Sequence, residues 1–340
     1  MGVPRLLHFT TWKGVMETYE FKLSNSITGA TSMRKIIPFI LGFLLLGIVL
    51  FYTGIGNIVT IISETNLFYF FLAAVSCLIV EILAALKLKL VSHLNFPEIF
   101  LSHQGGMFLS QITPGRIGYL YTAYSLAKKE NKSISAMVGL ISLIQGLMIA
   151  SKIFVLALAL IYFSFLFEIP YYLFLSFLTP VLAVIIIIFF LYSNTSKELL
   201  SKIFVLRKGV RYLELMQKSV KNVSKKVALE MVTLDLIGWL FYGLQFFLLI
   251  NALGVSLSFL TCLMLQPLIT AVLLIPISPT GLGLAESESA LIFSLLGLES
   301  GIGVAFLLLF RINSIFVDSI GIIDLKTIRI PKKLKILLSN

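Results

Sequence analysis

Apolar positions in this chain do not alternate with a strand's period, nor fall on one stripe of a surface helix. They come in long unbroken runs separated by short polar connections. Runs of spanning length cover residues 36–53, 67–86, 134–163, 171–192, 227–250, 257–276, 284–298 and 302–325. A run of about 20 apolar residues matches the hydrocarbon thickness of a bilayer. Lipid offers the backbone no hydrogen-bond partner, so each run is predicted to be a helix. The pattern predicts an all-α integral membrane protein of about eight transmembrane helices, with a re-entrant pair of half-helices and a second Pro/Gly-broken segment.

The re-entrant pair arises because residues 96–126 fit no simple span. The stretch is moderately apolar, yet it holds His103, Gln104, Gly105, Gly106, Gln111, Pro114, Gly115 and Arg116. Pro114 removes a backbone donor and disfavours helix at Thr113, while Gly115 and Gly118 permit unusual dihedrals and close approach. The second break contains Pro279, Gly281 and Gly283. The helix after it, residues 284–298, is about 22 Å long at 1.5 Å per residue, shorter than a bilayer core of about 30 Å. The break itself is therefore expected to dip into the membrane. Residues 112–118 (ITPGRIG) and 277–283 (ISPTGLG) align at a constant offset, Pro114 with Pro279 and Gly118 with Gly283. Paired Pro/Gly interruptions in two halves of a chain point to a transporter's substrate site. A chance similarity of short Pro/Gly strings is the competing explanation.

Composition agrees: 58% of the residues are hydrophobic and 13% charged, against about a quarter charged in soluble domains. The net charge of +11 matters less than its distribution. Basic residues crowd residues 5–35, 87–89, 128–132, 197–226 and 326–335, whereas the alternate connections hold Glu64, Glu168 and Glu299 and no Lys or Arg. Eight crossings put every basic segment on one side, and the positive-inside rule makes both termini cytoplasmic, in the cell membrane. Residues 1–32 read as a cytoplasmic segment, disordered or an over-extended start, since Met33-Arg-Lys before an apolar run is a natural beginning. Residues 33–325 form the membrane domain and 326–340 a basic cytoplasmic tail. The stretch 193–226 reads first as a topology-setting loop and second as an interfacial amphipathic helix.

Candidate chemistry lies in charges at membrane depth, which are costly and usually functional. Arg116 sits in the first break. Glu286 and Glu288 open the helix after the second. Arg311 lies near the middle of the last span, with Asp318 seven residues on and on roughly the same face. Exposed backbone N–H groups and positive half-helix ends at the breaks suit an anionic group such as a lipid phosphate. Arg311 either binds such a phosphate or pairs structurally with Glu286 or Asp318, the latter preferred. Glu81 and Lys152 also need partners. Lys152 is placed to snorkel to the outer surface, and Asp235 and Glu230 to sit at an interface. Gln104, Gln111, Gln145, Gln245 and Gln266 either line a polar path or bond helix to helix. Cys77 and Cys262 lie in apolar runs, and with His8, His93 and His103 they give no metal-ligand spacing. No phosphate loop for ATP is present, and no cofactor is expected.

The stretches at 100–140 and 274–316 resemble the membrane region of lysylphosphatidylglycerol synthases, the flippase-like domain of the multiple peptide resistance factor family. The resemblance covers about residues 33–325 and rests on Pro114-Gly115-Arg116-x-Gly118, Pro279-x-Gly281-x-Gly283 with Glu286, and Arg311. It implies a lipid translocase that moves a polar-headgroup or lipid-linked molecule between leaflets, not an enzyme. Family members commonly carry an Arg and an acid in the span after the first motif, and residues 141–147 here have neither, so the family's substrate is not carried over. The soluble aminoacyl-transfer domain is absent. The expected site joins Pro114, Gly115, Arg116, Gly118, Pro279, Gly281, Gly283, Glu286, Glu288, Arg311 and Asp318. The expected partners are membrane lipids, anionic phospholipid or a lipid-linked headgroup, with homo-oligomers left open and nucleic acid not expected. The alternative is a membrane-embedded glycosyltransferase or other lipid-modifying enzyme, or its non-catalytic partner subunit.

Overall fold

The computed structural model describes residues 31–113, 118–167, 223–272 and 281–327, with the single positions 195, 217 and 221. All regular structure among them is helical: α1 (Thr31–Thr53), α2 (Ile55–Ser63), α3 (Leu67–Lys89), α4 (Phe96–Ile112), α5 (Gly118–Lys129), α6 (Ile134–Phe167), α7 (Lys225–Ala252), α8 (Phe259–Val272), α9 (Leu284–Leu295), α10 (Ser300–Asp318), a 3-10 turn (Ser319–Gly321) and α11 (Ile322–Thr327). The predicted span at 171–192, residues 1–30, most of the 193–226 loop and the tail beyond Thr327 lie outside the described residues.

Among the described residues, four helices are long and apolar enough to cross a membrane: Leu67–Lys89, Ala136–Leu166, Lys225–Ala252 and Ser300–Lys326. A fifth is obtained if α1 and α2 count as one span, but they bend by 85° at Gly54, whose φ of +83° ends the ladder there. The run at 257–276 is described as far as Val272, as α8 of 14 residues, with 273–280 outside the described residues, and that at 284–298 is the short helix α9, of 12 residues. At 1.5 Å per residue these measure about 21 and 18 Å.

The bundle has two distinct ends. At one, the Asn66 amide donates to the Ala252 carbonyl at 2.8 Å, Asn57 Nδ2 donates to Glu299 Oε2 at 3.3 Å, and Tyr162 meets Thr261 at 2.9 Å. This acidic end holds the start of α3 and the close of α6 and α7. Its apolar core joins Phe163, Phe246, Leu249, Ile250, Phe293 and Phe306. At the other end, Lys89 Nζ donates to the Leu94 carbonyl at 2.6 Å, and Lys129 Nζ donates to Asp324 Oδ1 at 2.7 Å. Glu130 there accepts from Ser92 and from Lys132. Burial pushes the Glu130 carboxyl up, but the bonds from Lys132, Ser92 and the His93 amide outweigh it and hold it below the usual carboxylate range. This basic end has its own core of Ala85, Leu88, Ile99, Leu126, Met137 and Met231.

Against these ends the short helices pair into two hairpins that open in opposite directions. The α4–α5 hairpin has both free ends, Phe96 and Lys129, at the basic end. The α8–α9 hairpin has Leu253, Val255, Leu257, Leu296 and Leu298 together at the acidic end. Glycine makes the first hairpin's tight crossing possible. A Cβ on Gly118 would lie 1.9 Å from the Gly106 carbonyl oxygen, and one on Gly106 would lie 1.9 Å from Thr122 Oγ1. The tip of the second hairpin packs on the middle of α1, where a Cβ on Gly283 would lie 2.4 Å from Leu45 Cβ. Replacing two spans by a hairpin preserves parity, so the described basic connections still share one end.

Gly118→Ala must separate α4 from α5 and is expected to lower stability in detergent by about 1–3 kcal/mol. Gly47→Ala, where an added Cβ meets nothing within 4 Å, is expected to leave the unfolding midpoint unchanged or raised. Thermal unfolding of the two purified variants checks both outcomes.

Candidate functional site

Helix α10 carries the groups that receive both hairpin tips. Arg311 Nε donates to Glu286 Oε1 at 2.7 Å, and Glu286 Oε2 accepts the Gly283 amide at 2.7 Å. One fully buried carboxylate thus satisfies an orphan amide at the start of α9, favours the positive end of its dipole, and pairs with a cation on α10. Two helical turns further, Gln111 Nε2 at the end of α4 donates to Asp318 Oδ2 at 2.8 Å. Between them Asn313 Nδ2 donates to the Phe70 carbonyl at 2.9 Å, and its Oδ1 accepts from Gln245 Nε2 at 2.9 Å. The stretch Arg311–Asp318 therefore ties α10 to α9, α7, α3 and α4, at two levels about 10 Å apart along the axis.

The predicted site residues separate into groups. Pro114, Gly115, Arg116 and Pro279 lie outside the described residues. Gly118 is a packing contact between α4 and α5. Gly281 and Gly283 have φ of +69° and +81°, a conformation that favours glycine, so the second break is a sharp turn into α9. Glu286 and Arg311 pair with one another, the structural partnership preferred from sequence. Asp318, two turns from Arg311, meets Gln111. Glu288 is half-buried, and its Oε2 has no hydrogen-bond partner. Gly297 and Gly301 lie where α9 turns into α10, Gly297 with a φ of +77°.

A second constellation lies outside the predicted site. A cavity of about 90 Å³ lies between α3, α4, α5, α6, α7 and α8, and it is lined by Glu81, Lys87, His103, Lys152, Asp235 and Gln266 among others. None of the predicted site residues lines it. Glu81 finds its partner in His103, with Oε2 2.8 Å from Nε2. Lys87 Nζ donates to Asp235 Oδ1, and the side chains of that pair are 7% and 6% exposed. Two expectations are corrected here. Lys152 does not snorkel outward but faces this cavity from the middle of α6. Asp235 is not interfacial, because α7 carries it inward onto Lys87. The signal was available: each ionisable residue in an apolar span marks a polar interior. Gln145 and Gln266 line the cavity, while Gln111 and Gln245 bond helix to helix.

Asp324 also escaped the sequence reading. It is 1% exposed and accepts from Tyr121 at 2.9 Å, Ser125 at 2.9 Å and Lys129 at 2.7 Å. Lying at the edge of the last apolar run, it merged with the basic tail in the pattern of charges. In the fold it clamps the end of α10 and α11 onto the first hairpin.

A bundle of long apolar helices, two opposed hairpins and buried ion pairs defines a polytopic α-helical membrane protein. The chain belongs to the family of the lysylphosphatidylglycerol synthase TM region, whose family model matches residues 39–321. It is similar to the UPF0104 membrane protein MJ1078 of Methanocaldococcus jannaschii, at 29% identity over 214 residues, covering 62% of this chain and 89% of that one. It is also similar to the UPF0104 membrane protein MJ1595 of the same organism, at 27% identity over 328 residues, covering 84% and 92%. No solved structure matches.

Removing one member of a buried ion pair strands the other, at about 3–5 kcal/mol. Glu286→Gln and Arg311→Met are each expected to lower stability in detergent, whereas the double substitution recovers part of the combined loss. A thermal-unfolding double-mutant cycle reads this. Additive losses would show that the two side chains act independently.

Proposed function

We propose that the protein is a lipid translocase, which carries a polar-headgroup or lipid-linked molecule between leaflets while the acyl chains stay in the bilayer. The observation that carries this reading is the meeting of two opposed hairpins on α10. The described parts of their four helices run 12–17 residues, and on this reading both hairpins are re-entrant. Each then brings irregular backbone to membrane depth, where it is tolerated only if buried in protein or facing a wet cavity. Opposed re-entrant pairs give a path open in turn to either side, the arrangement that transporters use around a central site.

On this reading the basic end is cytoplasmic, in the cell membrane, with both chain termini there. Arg116 and the backbone N–H groups of Gly115 and Gly281 meet the lipid phosphate at the breaks that Pro114 and Pro279 mark in the sequence, while Gly118 and Gly283 pack the hairpins. Glu288 offers a carboxylate oxygen without a partner to a cationic headgroup. Arg311, Glu286 and Asp318 fix the hairpin tips and set the field between them. The substrate class is anionic phospholipid or a lipid-linked headgroup.

Reconstituted vesicles with a fluorescent phospholipid and an impermeant headgroup quencher test the function. Protein is expected to accelerate exchange between leaflets. Arg116→Ala and Arg311→Ala are expected to slow it about 10–100-fold, the worth of a charge-assisted hydrogen bond of about 1.5–3 kcal/mol. Exchange no faster than in protein-free vesicles, across several lipid compositions, would contradict the proposal.

A further inference from the structure

We infer that the cavity between the hairpins is a proton-coupled anion site: a singly charged phosphodiester headgroup entering it takes up one proton, held between His103 and Glu81. The inference rests on the translocase reading and deepens it, by naming the charge of the cargo and the ion that travels with it.

The charge balance of the lining carries the argument. Among the described residues, five ionisable side chains with charges to balance face the cavity: Glu81 and Lys87 from α3, His103 from α4, Lys152 from α6 and Asp235 from α7. Two carboxylates and two ammonium groups cancel, so the set is neutral when the imidazole is neutral. The other described lining residues add no charge. Tyr119 comes from α5, Tyr242 from α7 and Gln266 from α8. Cys77 lies one turn from Glu81 on α3 and is buried. Asp318, on α10, does not line the cavity and is bonded to Gln111. A phosphodiester that moves on from the breaks into this space would add a charge of −1 to the described set away from water, which costs several kcal/mol. Of the five, only the imidazole ordinarily changes charge near neutral pH. Its ring nitrogen already sits 2.8 Å from Glu81, so a proton added there is shared with a carboxylate and restores neutrality.

The surroundings fit an anion and a moving element. Lys152 and Gln145 lie two turns apart on one face of α6, both toward the cavity. His103 belongs to the first hairpin, so its charge bears directly on α4. The next residue, Gln104, is fully buried, and neither of its amide atoms has a hydrogen-bond partner. Such a deficit costs free energy and is relieved by water or by a shift of the hairpin.

The test uses the purified full-length protein in detergent, in weak buffer with a pH indicator, titrated with dihexanoyl phosphatidylglycerol while calorimetry follows binding. About one proton is expected to be taken up per lipid bound at pH 7.5. Affinity is expected to fall about tenfold per pH unit wherever one full proton is taken up per lipid. His103→Gln should abolish uptake and flatten that slope while the lipid still binds. If that variant does not fold, the wild-type stoichiometry and slope decide alone. Lipid binding with no proton uptake and a flat pH profile would overturn the coupling and leave translocation standing. Absence of both lipid binding and leaflet exchange would overturn the translocase reading and this inference with it. Glycerophosphoglycerol and inorganic phosphate, which lack acyl chains, are expected to cause no uptake; uptake equal to that with lipid would overturn the lipid assignment in favour of a soluble anion.

Discussion

A backbone that stops being helical inside lipid exposes amide and carbonyl groups that no solvent will satisfy. Each hairpin tip in this fold meets that constraint, and each meets it on α10. Glu286 turns back to cap the Gly283 amide and reaches Arg311 with its other oxygen. Gln111 closes the end of α4 onto Asp318. Asn313, between them, is itself bound from two sides. Polar groups that would be a liability in an apolar span become the points at which four other helices are registered. The positions of α3, α4, α7 and α9 all follow from that stretch of about two turns.

Close packing does the rest, through backbone contacts in place of large side chains. Without a hydrophobic driving force between helices in lipid, association depends on close approach. Gly303 lies so near α9 that a Cβ would be 2.5 Å from the Ser289 carbonyl oxygen, and Gly321 so near α4 that one would be 2.2 Å from that of Gln104. These contacts bring α9 against α10 and α4 against the 3-10 turn that follows it. The larger aromatic residues fill the acidic end, where Phe246 stacks edge-on against Phe306 and Phe310.

Much of this was legible in the sequence. Long apolar runs gave the four long helices, and the Pro/Gly interruptions located both breaks. The sides to which the basic connections belong followed from alternation alone. What escaped was the second hairpin, because a run of 20 apolar residues reads as a span whether it crosses or folds back. The parity of the charge map is the same either way, so it cannot distinguish the two. The described ends of the two hairpins nevertheless lie apart, those of α4–α5 at the basic end and those of α8–α9 at the acidic end. Of the site, the pairing of Arg311 with Glu286 was foreseeable from two charges at similar depth. The partnerships Glu81–His103 and Lys87–Asp235 were not, since they depend on how α3 is rotated against α4 and α7, and no local pattern encodes that rotation.

The central claim, that both tips meet α10 at once, is open to direct chemical measurement. In a background with Cys77 and Cys262 replaced by Ser, paired cysteines at Gln111 and Asp318, and separately at Glu286 and Arg311, can be treated in membranes with a short bifunctional thiosulfonate. Both pairs are expected to cross-link within one molecule, while a control pair at Gln111 and Ser256, which belong to opposite ends of the bundle, does not. Failure of the Glu286–Arg311 pair alongside aqueous labelling of position 286 from the basic side would contradict the account, because it would make α8 a crossing and the second break an ordinary loop.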